Sequence, residues 1–416
     1  MKQTDANYLL RSRCVLLLFA GILIAATEVK AGVKSGLDVL LSEKVDMIAG
    51  KRIGVIANQA SVDSRGKPIV ELLSQQATVA ALFGPEHGFE GTAPAGASVG
   101  NLERAGIKIF SLYGTFHMPT SGMLKNVDLL VYDIQDVGVK FYTYISSLFL
   151  CLCAAEREKI PILVLDRPDP IGADRVEGAI TNPAYASIVG VMPLPTRYGM
   201  TVGELATLFN EETYAGFGIG AKLTVIEMKG YRRNFQYEET GLPWVPPSPN
   251  MPTLETAAIY PGMCLLEGTN LSEGRGTESP FLTVGAPFID APKWREAIPQ
   301  EALTGVQVET VTFTPRPIQN KVDTPKHNGK PCNGLRFHVT DCERLRPIEL
   351  AVALLCAAQK LDPAEFKMTQ QLDRLWGNEE LRAGITEGAD YIAIMKSTQK
   401  NLDAFKKVRK KYLRYP

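Results

Sequence analysis

Between residues 51 and 165 the chain repeats one pattern: a short apolar run, a polar cluster, then a segment of helical periodicity. The runs are 51–57 (KRIGVIA), 78–83 (TVAALF), 107–112, 127–132 (VDLLVY) and 161–165 (PILVL). They are continuous rather than alternating, as expected for parallel strands covered on both faces. Segments 68–74 and 142–159 read as helices, the second with an apolar stripe through Ile145, Leu148, Leu152 and Ala155. Strand–helix alternation predicts an α/β doubly wound fold on a parallel sheet. Thr201 and Glu204 have the spacing of a capping box, so Glu204 is expected to serve the helix that follows. Residues 223–228 read as a further strand. Residues 241–252 (GLPWVPPSPNMP) cannot be regular structure, yet they are too apolar for a solvated linker and read as an ordered loop over the body. Beyond them, strands at 306–313 and 335–339 and a helix at 347–360 predict a second, smaller α/β C-terminal domain. The organisation expected is a signal peptide at 1–31, a catalytic domain over 35–260 and an ancillary domain over 261–416. The basic C-terminal stretch 405–414 reads as a solvated helix face.

The N-terminus departs from this pattern. Arg11 and Arg13 precede an uncharged apolar run over 14–26, too short to span ~30 Å of hydrocarbon, and Val29-Lys30-Ala31 follows as a small-residue cleavage site. This predicts export to the periplasm or beyond, with no stable membrane insertion after cleavage. Charge changes the picture only by exclusion: 45 basic residues balance 45 acidic ones, which argues against a nucleic-acid partner. Six cysteines lie beyond the signal, and an exported chain can oxidise them. Cys332 and Cys342 flank a strand and are candidates to pair, whereas Cys151 and Cys153 point to different helix faces.

Ligands of open α/β sheets bind beyond the carboxyl ends of the strands. Here those ends carry Asn58, Glu86, His87, Asp133, Asp136, Asp166 and Asp169, which predicts a shared acidic site. No glycine-rich nucleotide loop, serine elbow or zinc-binding HExxH occurs, so no cofactor and no metal are expected. What remains is carboxylate chemistry, for which glycoside hydrolysis is the leading reading. Tyr142, Tyr144, Tyr198 and Trp244 offer faces for a sugar ring. Residues 260–281 gather Glu267, Glu273, Arg275 and Glu278 among glycines, and so polar a stretch is costly to order unless it binds something.

Six long motifs carry a resemblance: GPEHGFEG (84–91), YDIQDVGVKFYTY (132–144), DRPDPIG (166–172), RYGMTVGE (197–204), PSPNMPT (247–253) and YPGMCLLEGTNLSEGRGTESPF (260–281). Together they resemble the exo-β-N-acetylmuramidase family of peptidoglycan turnover, long known as a domain of unknown function. The likeness runs from about residue 35 to the C-terminus. It implies a Rossmann-like catalytic domain, a smaller C-terminal domain with the site in the cleft between them, and removal of N-acetylmuramic acid from the non-reducing end of peptidoglycan-derived saccharides. It also implies Glu86 as general acid, with Asp133, Asp136, Glu267 and Glu273 open as base, nucleophile or substrate contact. Muramic acid carries a lactyl carboxylate, for which Arg275, Arg197 and Lys140 are the candidate cations. His87, Asn58, Tyr142, Asp166, Tyr198 and Asn250 complete the expected substrate contacts. The alternative is a non-catalytic cell-wall sugar-binding protein using the same cleft.

Overall fold

The apolar runs become strands whose alternate residues enter two different cores. In a computed structural model describing residues 32–416 except 95, 98, 105, 116 and 213–217, twelve strands occur. They are β1 (Arg52–Ala57), β2 (Thr78–Gly84), β3 (Leu102–Arg104), β4 (Ile107–Ser111), β5 (Leu129–Asp133), β6 (Ile162–Leu165), β7 (Glu177–Ile180), β8 (Pro195–Arg197), β9 (Leu223–Ile226), β10 (Thr283–Ala286), β11 (Val306–Phe313) and β12 (Cys332–Val339). The expected signal peptide lies outside the described residues. Residues 32–416 form one compact unit.

The main sheet has the order β3-β4-β2-β1-β5-β6-β9. All its pairs are parallel except the β3–β4 edge. Ile53, Val55, Ala57, Leu129, Val131, Leu163 and Leu165 pack on one face with helices Gly36–Glu43 and Ile69–Leu73. Ile56, Phe83, Leu130, Tyr132 and Val164 pack on the other with helices Tyr144–Glu158 and Val202–Glu211. Burial on both faces is why the strands read as unbroken apolar runs. Strand order reverses between β1 and β5, which opens a crevice at their carboxyl ends, beside that of β2.

The second half holds an antiparallel sheet, β10-β12-β11, packed against helices Leu254–Met263 and Ala291–Ala297, which in turn pack on helix Pro347–Leu361. Its apolar residues, among them Val284, Leu335 and Leu354, belong to the same core as Phe83 and Tyr132. The expected border at 260/261 falls inside helix Leu254–Met263. There Tyr260 stacks edge-on against both Phe141 and Phe281. Next to it, a Cβ on Gly262 would lie 1.8 Å from the Pro347 carbonyl oxygen, so helices 254–263 and 347–361 touch backbone to backbone.

The capping box forms as expected: Glu204 Oε2 accepts from Thr201 N, and Thr201 Oγ1 accepts from Glu204 N. The C-terminal helix is longer than expected, Tyr391–Arg409, and not merely solvated. Arg409 is buried, donating to the Gly199 carbonyl at 2.8 Å, and the tail returns to the main sheet, where Tyr415 Oη donates to Asp166. The six described cysteines are all free. Cys332 and Cys342 cannot pair across β12, because seven extended residues span about 23 Å, against the ~7 Å limit between bridged Cα atoms. Among the described residues, no helix is long and apolar enough to cross a membrane.

Candidate active site

Glu86 is placed by a tight turn just past β2. Gly84 is obligatory there, since a Cβ would meet Phe89 N at 2.5 Å. The turn closes through Gly88 N to the Pro85 carbonyl, with His87 in the left-handed region at φ 70°. Both Glu86 oxygens are engaged by neutral donors. Oε2 accepts from Thr143 Oγ1 at 2.6 Å and Oε1 from Gly96 N at 2.9 Å. The Tyr113 phenol is pushed up to about 12 by burial and by the Glu86 carboxylate. Burial, only partly opposed by Glu86, holds the His87 imidazole below its usual range, so it stays neutral, with Nδ1 2.7 Å from the Ala93 carbonyl.

These residues line a chamber of about 340 Å³. The loop after β5 contributes Phe141, Tyr142, Thr143 and Tyr144, and the 241–252 loop contributes Ser248, Asn250 and Met251. That loop is ordered as expected: its Pro247 carbonyl accepts from Tyr144 Oη at 2.6 Å. The second half supplies Tyr260, Cys264, Glu267, Arg275, Phe281 and Leu375. Arg275 lies over the Phe281 ring at 4.9 Å. Its Nη1 is 2.7 Å from Glu267 and 3.6 Å from Glu273. Lys326 Nζ is 3.2 Å from the other Glu273 oxygen. Burial would raise Glu273, but Lys326 and Arg275 outweigh it and hold the carboxyl below its usual range.

Of the expected site residues, the chamber unites Glu86, His87, Tyr142, Asn250, Glu267 and Arg275, and Glu273 lines a recess beside it. The others are structural. Asp133 is wholly buried in a bidentate pair with Arg167. Asp136 caps the next turn through Val137 N and Gly138 N and takes the Tyr198 hydroxyl, so neither Asp136 nor Tyr198 meets the chamber. Asp166 accepts from Thr201, Gly203 and Tyr415. Asn58 braces Pro247 through its side-chain amide. Arg197 serves the Ile171 and Gly172 carbonyls, and Trp244 donates to Pro252. Lys140, a candidate for the lactyl carboxylate, is fully buried. Its Nζ donates to the Ala179 and Trp376 carbonyls, and burial drives it well below its usual range. An apolar strand end is desolvated, so acids there are kept by local donors rather than offered to a ligand.

Two of these acids make a pH prediction. Burial pushes Asp166 and Asp169 each up to about 7, with Arg197 opposing it at Asp169. Their folded values exceed the unfolded ones. The stability they confer is therefore complete below about pH 4 and is lost as pH rises through about 7. The melting temperature is expected to fall between pH 5 and pH 8. Asp169→Asn keeps the acceptor for Ile171 N and is expected to gain about 1–2 kcal/mol at pH 8 but little at pH 5. A variant tracking the wild type at both pH values would refute this.

The sequence matches two family descriptions, one after the other: "Exo-beta-N-acetylmuramidase NamZ, N-terminal" over residues 53–255 and "Exo-beta-N-acetylmuramidase NamZ, C-terminal" over 258–415. The chain belongs to the NamZ family. The peptidoglycan beta-N-acetylmuramidase NamZ of Bacillus subtilis (strain 168) is 43% identical over 395 residues, covering 94% of this chain and 93% of that protein. Two crystal structures of DUF1343 family proteins from Bacteroides fragilis NCTC 9343 share the NamZ fold seen here. One superposes with a TM-score of 0.83 at 30% identity, the other with 0.73 at 31%; each covers 92% of this chain and is itself covered to 99%.

Sequence reasoning missed Thr143, Tyr113, Gly96, Ile188, Val189 and Leu375, all of which line this NamZ chamber. Thr143 sits inside the quoted 132–144 motif, between two tyrosines that face the chamber, and could have been found there. Lys326 follows no motif, and only the fold brings it to Glu273.

Proposed function

We propose that this protein is an exo-acting β-N-acetylmuramidase that removes N-acetylmuramic acid from the non-reducing end of peptidoglycan fragments. The observation that carries the reading is the contrast between carboxylates on one cleft. Among the described residues Glu86 accepts only from neutral donors, whereas Glu267 and Glu273 are anchored by Arg275 and Lys326. A glycosidase needs that division, with one carboxyl able to give a proton and another held as an anion. Glu86 protonates the departing glycosidic oxygen. Glu267, paired with Arg275, is the second carboxyl of the chamber and faces the cation developing at the anomeric carbon; water adds there, and the proton it sheds restores Glu86. Aromatic faces from Tyr142, Tyr144, Tyr260 and Phe281 give the sugar ring apolar surface. A chamber of about 340 Å³ is at the small end of ligand pockets and suits one terminal residue rather than a strand. The basic and apolar N-terminal stretch supports export, which puts the reaction in the periplasm or outside the cell.

The test is product identity. With a muramic acid–glucosamine disaccharide, free N-acetylmuramic acid is expected, while a disaccharide with N-acetylglucosamine at its non-reducing end stays intact. Tight binding with no new reducing sugar would establish the sugar-binding alternative instead.

A further inference from the structure

The cleft continues past the chamber into a recess of about 450 Å³, which shares Gly96, Glu267 and Arg275 with it. Three cations line the recess: Arg275, Lys321 and Lys326. Two of them are already committed. Arg275 is bound to Glu267 and Glu273, and Lys326 donates to the carbonyls of Leu266, Glu267 and Leu271 besides pairing with Glu273. Lys321 differs, since among the described residues no hydrogen bond or ion pair engages its ammonium group. Its backbone is nonetheless held. Lys321 N donates to Ile318 in a turn with Asn320 at φ 62°, and the Lys321 carbonyl accepts from Asn250 Nδ2 at 3.0 Å. Asn250 itself lines the chamber, so one side chain connects the sugar chamber to the turn that carries the uncommitted cation.

We infer that the recess receives the anionic arm of the substrate and that Lys321 is the specificity residue that reads its carboxylate. This rests on the muramidase reading. N-acetylmuramic acid differs from N-acetylglucosamine by a lactyl ether ending in a carboxylate, so discrimination between them requires a cation free to meet that group. Turning the Arg275 Nη1 toward that group would strip Glu267 of its counter-charge, whereas Lys321 has no such partner to give up. Asp323 also lines the recess and opposes an incoming anion, so it tunes the same contact in the reverse sense.

Calorimetry separates this from the hydrolytic reading, because it needs no turnover. Free N-acetylmuramic acid, its lactyl amide and N-acetylglucosamine would be titrated into the full chain, Lys321→Met, Lys321→Arg and Asp323→Asn. Lys321→Met is expected to weaken N-acetylmuramic acid about tenfold and to leave the two neutral sugars unchanged. Lys321→Arg keeps most of the affinity, and Asp323→Asn strengthens it. On a chromogenic muramide, Lys321→Met raises KM with kcat nearly intact. Unchanged binding of N-acetylmuramic acid by Lys321→Met, or an equal loss for all three sugars, would overturn the inference, as would no binding by the wild type. Lys321-dependent binding without any hydrolysis would refute the enzymatic reading alone.

Discussion

Glu86→Gln is expected to fold and melt like the wild type while losing about 10²- to 10⁴-fold in kcat. The amide fits the existing contacts. Its oxygen can keep the bond from Gly96 N, and its NH₂ can donate to Thr143 Oγ1, a hydroxyl able to reverse its role. Only the transferable proton is lost. A fold-neutral, rate-specific defect is therefore the signature of a proton donor, and it is read by comparing melting curves with initial rates on a chromogenic muramide. Full activity in this variant would remove Glu86 from the chemistry.

Arg167→Met is expected to have the opposite profile, a loss of about 3–5 kcal/mol of stability. Arg167 is buried against Asp133, and its Nη2 also donates to the Val62 carbonyl. Removing it leaves a carboxylate in the core with no counter-charge, at a site where burial already disfavours the ionised form. Adding Asp133→Leu should restore part of the loss, because it removes the stranded charge. Denaturant titration of the single and double variants measures both effects. Equal stability of Arg167→Met and wild type would show that the pair contributes nothing. If the double variant, refolded, lost its catalytic rate, Asp133 would return to the candidate site.

The main sheet was legible because its physics is local: two-sided burial writes itself as apolar runs. Glu86 was legible too, since a Gly-Pro-Glu-His-Gly turn after a strand has few uses. The acids that follow β5 and β6 misled for one reason. A carboxylate at a strand's carboxyl end looks the same in sequence whether it faces a ligand or a buried guanidinium, and for Asp133 the deciding partner is Arg167, 34 residues away. Lys140 misled likewise, because nothing nearby in sequence announces that its amine ends on the Trp376 carbonyl, 236 residues on. The β7–β8 ribbon was missed because its strands are too short and too interrupted by Gly and Pro to show periodicity. The cleft cations Lys321 and Lys326 come from a stretch with no regular pattern, so only tertiary packing reveals them.

The shared core has a mechanical consequence. Tyr260 is wedged between Phe141 of one half and Phe281 of the other, and Gly262 rests on the Pro347 backbone. A protein joined in this way has no jaw to shut. Its chamber is formed before any sugar arrives. The two halves are correspondingly poor candidates for exchange between relatives as separate cassettes. A cut near residue 256 would split helix 254–263 and open apolar surface on both fragments, so neither is expected to persist as a soluble, protease-resistant body.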